Sequence, residues 1–157
     1  MLSVLMSCFN KGQYVSAAIE SVLGQTDGDL ELIVVDDCST DNSIGVIRRY
    51  MGDRRVRLVE HAKNLGMGAA SRSAADSADG RLMGLLDADD ALDSAAVAKM
   101  KSFHAKYPEA GLIYSSYWRC DADLNPGPDL WPSAKIPDGF TLLEHMDETG
   151  HMVVGPF

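Results

Sequence analysis

Arg81-Leu82-Met83-Gly84-Leu85-Leu86-Asp87-Ala88-Asp89-Asp90 is the stretch that decides how this chain folds. An apolar run of strand length stops abruptly at a cluster of carboxylates. A strand that delivers clustered aspartates at its C-terminal end creates a negative spot where parallel sheets bind ligands. Like charges this close repel, so the cluster costs stability unless a cation or hydrogen-bond donors neutralise it. A hard divalent cation meets that need, and such ions often take substrate phosphates as their remaining ligands.

Outward from this strand, extended and helical patterns alternate. Residues 2–7 read as a first strand. Residues 14–23 carry Val15, Ala18, Ile19, Val22 and Leu23 at helical spacing. Residues 30–35 are apolar throughout apart from Glu31, as expected of a strand covered on both faces. Ser39 or Thr40 would cap a helix running to about Met51. Residues 56–60 alternate as a short strand, and residues 68–78 form an Ala-rich helix stopped by Gly80. Asp93 or Ser94 would cap a helix to Tyr107, ended by Pro108, and residues 111–118 read as a further strand. This order predicts an α/β domain with a mostly parallel sheet flanked by helices and right-handed crossovers. After Cys120 the pattern turns loop-rich, with Asn125-Pro126-Gly127-Pro128, a turn-rich 132–139 and one short helix over 141–146. The expected organisation is one domain over 1–157, with an α/β core at 1–120 and a loop-rich remainder at 121–157.

The chain has 157 residues, enough for one domain with a substantial core. A net charge of −9 argues against a nucleic-acid backbone or an anionic membrane as the main partner, since both demand a basic face. Cys8, Cys38 and Cys120 show no close spacing and read as reduced thiols, which points to the cytoplasm. No apolar run is long enough to be a transmembrane segment, and residues 1–6 lack a basic leader, so they are read as strand rather than signal peptide. His61, His104, His145 and His151 have no metal-ligand spacing, and the sequence contains neither a phosphate loop nor a dinucleotide glycine pattern.

Two acidic groups carry the chemistry. Asp36-Asp37 follows the second predicted strand and either contacts a nucleobase or ribose or simply caps the next helix. Asp87 and Asp89 follow the fourth. With Ser3-Val4-Leu5-Met6-Ser7-Cys8-Phe9-Asn10, the helix ending in Leu23-Gly24-Gln25-Thr26, Glu31 to Asp41, and Asn64-Leu65-Gly66, these motifs occur in an order and spacing that resembles the N-terminal half of family 2 glycosyltransferases. These are inverting enzymes of the GT-A, Rossmann-like fold that use nucleotide sugars.

The resemblance implies the following. The chain would be the nucleotide-sugar-binding part of an enzyme transferring a sugar from a nucleotide-diphosphate sugar, preferably a UDP-sugar, to a hydroxyl of a saccharide or lipid-linked acceptor. Ser7, Phe9 and Asn10 would line the nucleotide pocket, with Phe9 offering a face to the base. Asp37 would read the base with Asp36 beside it. Asp89 would ligate Mn²⁺ or Mg²⁺, with Asp87 facing the ribose or the metal shell. Asn64 reads as a pocket residue or a turn former, and Gly66 belongs with it. Arg72 stands one place beyond the family's arginine, so it reads as a nucleotide contact or a surface residue. The general base would lie beyond Phe157, in a half the chain lacks by this reading, which expects truncation at the C-terminus. Tyr117, Trp118 and Trp131 read as packing or as a stacking surface for a sugar. Peripheral attachment at the inner membrane face extends the cytoplasmic expectation. Two alternatives remain: a non-catalytic nucleotide-binding or interaction module, and a sugar nucleotidyltransferase. The second would need a glycine-rich loop where Ser7-Cys8-Phe9-Asn10-Lys11-Gly12 stands.

Overall fold

β1 (Leu2–Cys8) is flanked on both sides by parallel partners, β2 (Leu30–Asp36) and β4 (Leu82–Asp87). β3 (Val56–Glu60) adds to the far side of β2, giving the order β3-β2-β1-β4. The structure is a computed structural model and describes residues 1–113, 115, 117–121 and 125–131. It divides into two units, Met1–Ala110 and Gly111–Phe157.

In the first unit β2 is buried at every position, which accounts for its nearly continuous apolar sequence. Val4, Met6, Leu32 and Val34 pack in one cluster with Val15, Ala18, Ile19 and Val22 of α1 (Val15–Leu23). Val46 and Ile47 of α2 (Ser43–Ile47) join the same cluster, as does Val97 of α4 (Ala96–Lys106). Leu5, Ile33 and Val35 form a second cluster with Ala70 and Ala74 of α3 (Met67–Asp76). Alternate residues of β1 and β2 therefore serve opposite faces of the sheet, each covered by helix, as a parallel sheet requires.

Three expectations need correction. The second helix begins at Ser43 rather than at Ser39 or Thr40, and tightens into a 3₁₀ turn over Arg48–Tyr50. The Asp41 carboxylate accepts the Ser43 and Gly12 backbone N–H groups, both at 2.9 Å, and holds the preceding residues in a turn. Gly111 to Ile113 is not strand; the extended segment is β5 (Tyr117–Cys120). Its partner is β6 (Pro126–Trp131), antiparallel to it, in a stretch whose prolines and glycine read as loop. Proline is tolerated as the first residue of a strand, where no ladder donor is lost. The predicted helix at 141–146 and the last residues, 153–157, lie outside the described residues.

The N-terminal edge of the sheet is tied by a buried polar knot. Glu31, 6% exposed, accepts the Ser3 hydroxyl at 2.6 Å and the Asp79 and Gly80 N–H groups at 2.7 and 3.1 Å. Arg57 closes it by donating to Glu31 and Asp79. The knot fixes where the chain enters β4, and so sets the register that carries Asp87. Gly80 is there because a Cβ would stand 2.8 Å from the Ser3 backbone nitrogen and 3.1 Å from the Met1 carbonyl. Gly80→Ala is therefore expected to destabilise the fold by about 1–3 kcal/mol, the scale of overpacking. Urea denaturation checks this, and an unchanged midpoint would show that the edge yields freely.

Candidate functional site

Parallel register sets Ser7 opposite Asp87, Cys8 opposite Asp36, and Asp36 opposite Glu60. Chain order reverses between β1 and β4, and the crevice at such a switch point is where open parallel sheets place ligands. Four post-strand loops meet at this edge.

The first two loops are stitched together. Asn10 and Cys38 both adopt positive φ, 54° and 64°. Asn10 tolerates this conformation well; for Cys38 it is strained. The Asn10 amide oxygen accepts the Thr40 N–H at 2.8 Å, and the Ser39 hydroxyl accepts the Asn10 N–H at 3.0 Å. Asn10 thus spends its side chain on the neighbouring loop. Phe9 beside it is 44% exposed, and Ser7 is half-buried.

Asp36 is fully buried. Its Oδ2 accepts the Ser39 N–H at 2.8 Å. Its Oδ1 is the buried side-chain polar atom without a hydrogen-bond partner among the described residues. Burial pushes the nearby Cys8 thiol up to about 11, helped by the Asp36 charge and opposed by Ser43, so this thiol is unreactive at neutral pH.

Asp37 is 3% exposed and engaged with the third loop. Oδ1 accepts His61 Nδ1 at 2.7 Å and the Leu65 N–H at 2.9 Å, and Oδ2 accepts the Gly66 N–H at 2.7 Å. Burial alone would raise this carboxyl, but the donors of Leu65, His61 and Gly66 outweigh it and hold it below the ordinary range. The Asn64 side chain accepts from Gly66 at 3.2 Å, a turn-forming contact. Gly66 opens α3 with φ +86°, a conformation that favours glycine.

The fourth loop carries the acids. Burial, and then the neighbouring Asp89 charge, push the Asp87 carboxyl up; Asp90 is raised by burial and by both neighbours. Lys11 reaches across from the β1 loop and pairs with Asp89, and this bond raises the lysine in turn. The loop itself is bolted to α1. Gln25, 7% exposed, donates to the Asp93 carbonyl at 2.7 Å and accepts the Val97 N–H at 2.9 Å, serving a donor at the start of α4. The Ser21 hydroxyl accepts the Leu92 N–H at 3.1 Å.

Ser7, Phe9, Asn10, Asp36, Asp37, Asn64, Gly66, Asp87 and Asp89 thus share one edge of the sheet. Arg72 does not join them. It is exposed on α3 and pairs at 3.5 Å with Asp76, one turn further from the helix end that Gly66 opens. Sequence reasoning missed Lys11 and His61. Lys11 had a usable signal in its position just past the first strand, whereas nothing in the spacing of His61 marks its partners.

Among the described residues, no three His, Cys, Asp or Glu side chains converge as a ligand set for a metal ion. The acids nevertheless fit a divalent cation of the kind that binds through one or two carboxylates and draws its other ligands from phosphate and water. Burial, and after it the neighbouring carboxylates, raises Asp87 and Asp90, and an ammonium is already drawn onto Asp89.

The sequence model of Glycosyl transferase family 2 matches residues 3–157. This chain belongs to that family. It is 32% identical over 126 residues to a chondroitin synthase of Escherichia coli, covering 80% of this chain and 18% of that protein. An uncharacterized glycosyltransferase of Haemophilus influenzae is 32% identical over 145 residues, covering 92% of this chain and 57% of the relative. The chain therefore spans less than two thirds of these relatives. In fold it resembles S. aureus TarS 1-349 in complex with UDP, with TM-score 0.65, 24% identity, and coverage of 68% of this chain and 32% of that one. It also resembles the mannosyltransferase PcManGT from Pyrobaculum calidifontis in complex with GDP-Man and Mn2+, with TM-score 0.62, 22% identity, and coverage of 75% and 35%. No helix among the described residues is long and apolar enough to cross a membrane.

The charge asymmetry of this family 2 chain gives a pH prediction. Asp37 and Glu31 are lowered in the fold, so their contribution is full above the ordinary carboxylate range of about 4 and is lost as pH falls through their folded values. Asp87 is raised, so its ionised form opposes folding at neutral pH and that opposition fades as pH falls through its folded value. Asp87→Asn is expected to stabilise the cation-free fold by up to ~1 kcal/mol at low salt, the scale for exposed charges. Denaturant melts at pH 7 and pH 4 should show the gain shrinking at the lower pH; a loss of stability at pH 7 would contradict the charge argument.

Proposed function

We propose that this chain is the donor-binding part of an inverting, metal-dependent family 2 glycosyltransferase. Its donor is a nucleotide-diphosphate sugar, with a UDP-sugar preferred, and its acceptor is a hydroxyl of a saccharide or lipid-linked glycan. The observation that carries this reading is the Ser7–Asp87 register at the switch point, which gathers Asp36, Asp37, Asp89, Lys11 and Phe9 along one edge. The chondroitin synthase relative supports an assignment to polysaccharide assembly.

In this reading Phe9 gives the base a face to stack on, and Asp37 accepts a base N–H. Asp87 meets the ribose or the metal shell. Asp89 and Asp87 are the residues that would hold Mn²⁺ or Mg²⁺, which when bound supplies Lewis-acid stabilisation of the leaving diphosphate. Lys11 adds a positive charge at the same edge, available to phosphate oxygens once Asp89 has another partner. Inversion requires a carboxylate to take the acceptor proton. A cytoplasmic setting, with peripheral attachment at the inner membrane face, fits a donor made in the cytoplasm.

Calorimetry with UDP, GDP and dTDP, each with and without Mn²⁺, tests the proposal on wild type and Asp89→Ala. One nucleotide is expected to bind in the presence of metal, and the variant to weaken it at least about tenfold, or 1.4 kcal/mol. Should no nucleotide bind with or without metal, the donor-site reading fails and a non-catalytic interaction module takes its place.

A further inference from the structure

We infer that His61 is the positioning residue for base recognition: held between Asp37 and Ser73, it decides which carboxylate oxygen of Asp37 is left to meet the nucleobase. This rests on the donor-site reading above and deepens it.

The lone pairs of Asp37 decide which oxygen is left. An ionised carboxylate offers about four acceptor positions, two on each oxygen. His61 Nδ1 and the Leu65 N–H fill Oδ1, at 2.7 and 2.9 Å. Oδ2 receives only the Gly66 N–H, at 2.7 Å, so the remaining acceptor position lies there. A carboxylate cannot donate, so Nδ1 must carry the proton. The neutral ring then presents Nε2 as an acceptor, and the Ser73 hydroxyl stands 2.9 Å from it. The Asp37 carboxylate itself thus fixes the tautomer, and the Ser73 hydroxyl holds the far end of the ring.

The ring is also fixed in space. The His61 backbone N–H donates to the Asp36 carbonyl at 2.9 Å, and its side chain is only 9% exposed. It acts through Asp37 rather than on a ligand. The series Asp37–His61–Ser73 has the connectivity of a nucleophilic triad, but Ser73 lies inside α3, where the helix ladder already uses the backbone N–H groups that an oxyanion hole would need. A positioning relay is the reading that the geometry supports.

The chemical consequence concerns the base. Uracil, thymine and guanine carry an imide-type ring N–H; cytosine and adenine present a lone pair at the corresponding edge. An Oδ2 with one free acceptor position matches the first group and repels the second. Sites built to pair a substrate N–H reject analogues that lack it far more strongly than apolar pockets reject a change of size.

The test measures Kd for UDP against CDP, and GDP against ADP, on the full chain with Mn²⁺. The variants are H61N and H61Q, because an asparagine amide nitrogen falls near the Nδ1 position and a glutamine amide nitrogen near Nε2. H61N keeps the donor to Oδ1 and should retain the preference for the imide base. H61Q leaves Oδ1 short of a donor and should lose about tenfold or more of that preference. A merely structural histidine would lower the melting temperature and weaken all nucleotides alike, leaving the ratio untouched. An unchanged ratio in H61Q, or equal loss in both variants, overturns the inference. If H61N fails to fold, S73A takes its place; it leaves the Nδ1–H donor to Oδ1 in position and should retain the preference for the imide base, and a loss there equal to that of H61Q also overturns the inference. If wild type binds imide and non-imide nucleotides equally in the presence of metal, Asp37 reads no base and the inference falls, while the rest of the donor-site reading stands.

Discussion

Parallel strands cannot be joined by tight turns, so each strand of this sheet returns through a crossover that starts at the same edge. Around β1 this rule brings the loops after β1, β2, β3 and β4 together, with Cys8 level with Asp36 and Ser7 level with Asp87. The acids are far apart in sequence and adjacent in space because of register alone. A slip of one residue in β4 would turn Asp87 to the opposite face and bring Leu86, now 3% exposed, out of the core. The apolar pattern that buries Leu86 therefore also aims the acid.

Each edge of the sheet is organised by a carboxylate that other strands and loops converge on. Glu31 gathers Ser3, Asp79, Gly80 and Arg57 at the N-terminal edge. Asp37 gathers His61, Leu65 and Gly66 at the C-terminal edge. Burial alone would raise both groups, yet both are held low by the donors around them. A buried carboxylate with one donor is a liability; with three it becomes the point on which loops depend. Gln25 serves the acidic loop in the same way with a neutral amide, bridging α1 to the start of α4.

The alternation of elements was legible because a doubly covered strand such as β2 admits little but apolar residues, and because α1 must repeat its apolar residues at helical spacing. The acids were legible because carboxylates at a strand end have no packing reason to be there. What stayed hidden was pairing across loops. Nothing local tells that Lys11 reaches Asp89, or that His61 lies between Asp37 and Ser73, since these contacts follow from tertiary register. The Asp41 turn delayed α2 because a side-chain acceptor competes with the helix for the same N–H groups. β6 was invisible for the opposite reason: proline and glycine signal turns, and only a partner strand overrides them. Arg72, open in the sequence between a nucleotide contact and a surface residue, stands exposed beside Asp76, since a helix rotates neighbours by about 100° and one residue of displacement moves a side chain to another face.

The charge balance at the switch point links stability to use. Among the described residues, Asp87, Asp89 and Asp90 face a single ammonium, that of Lys11, and the carboxyls of Asp87 and Asp90 remain raised in its presence. Had folding alone shaped this loop, a second lysine or an asparagine would have removed the strain. The cluster instead stays under-neutralised at an edge where the backbone is fixed by Gln25 and by the register of β4. A rigid negative site with one replaceable cation costs the free fold something and keeps its field directed outward. In the donor-site reading that field is what a divalent ion and a diphosphate would answer, and because it is set before either arrives, no reorganisation of the loop is needed at the moment of transfer.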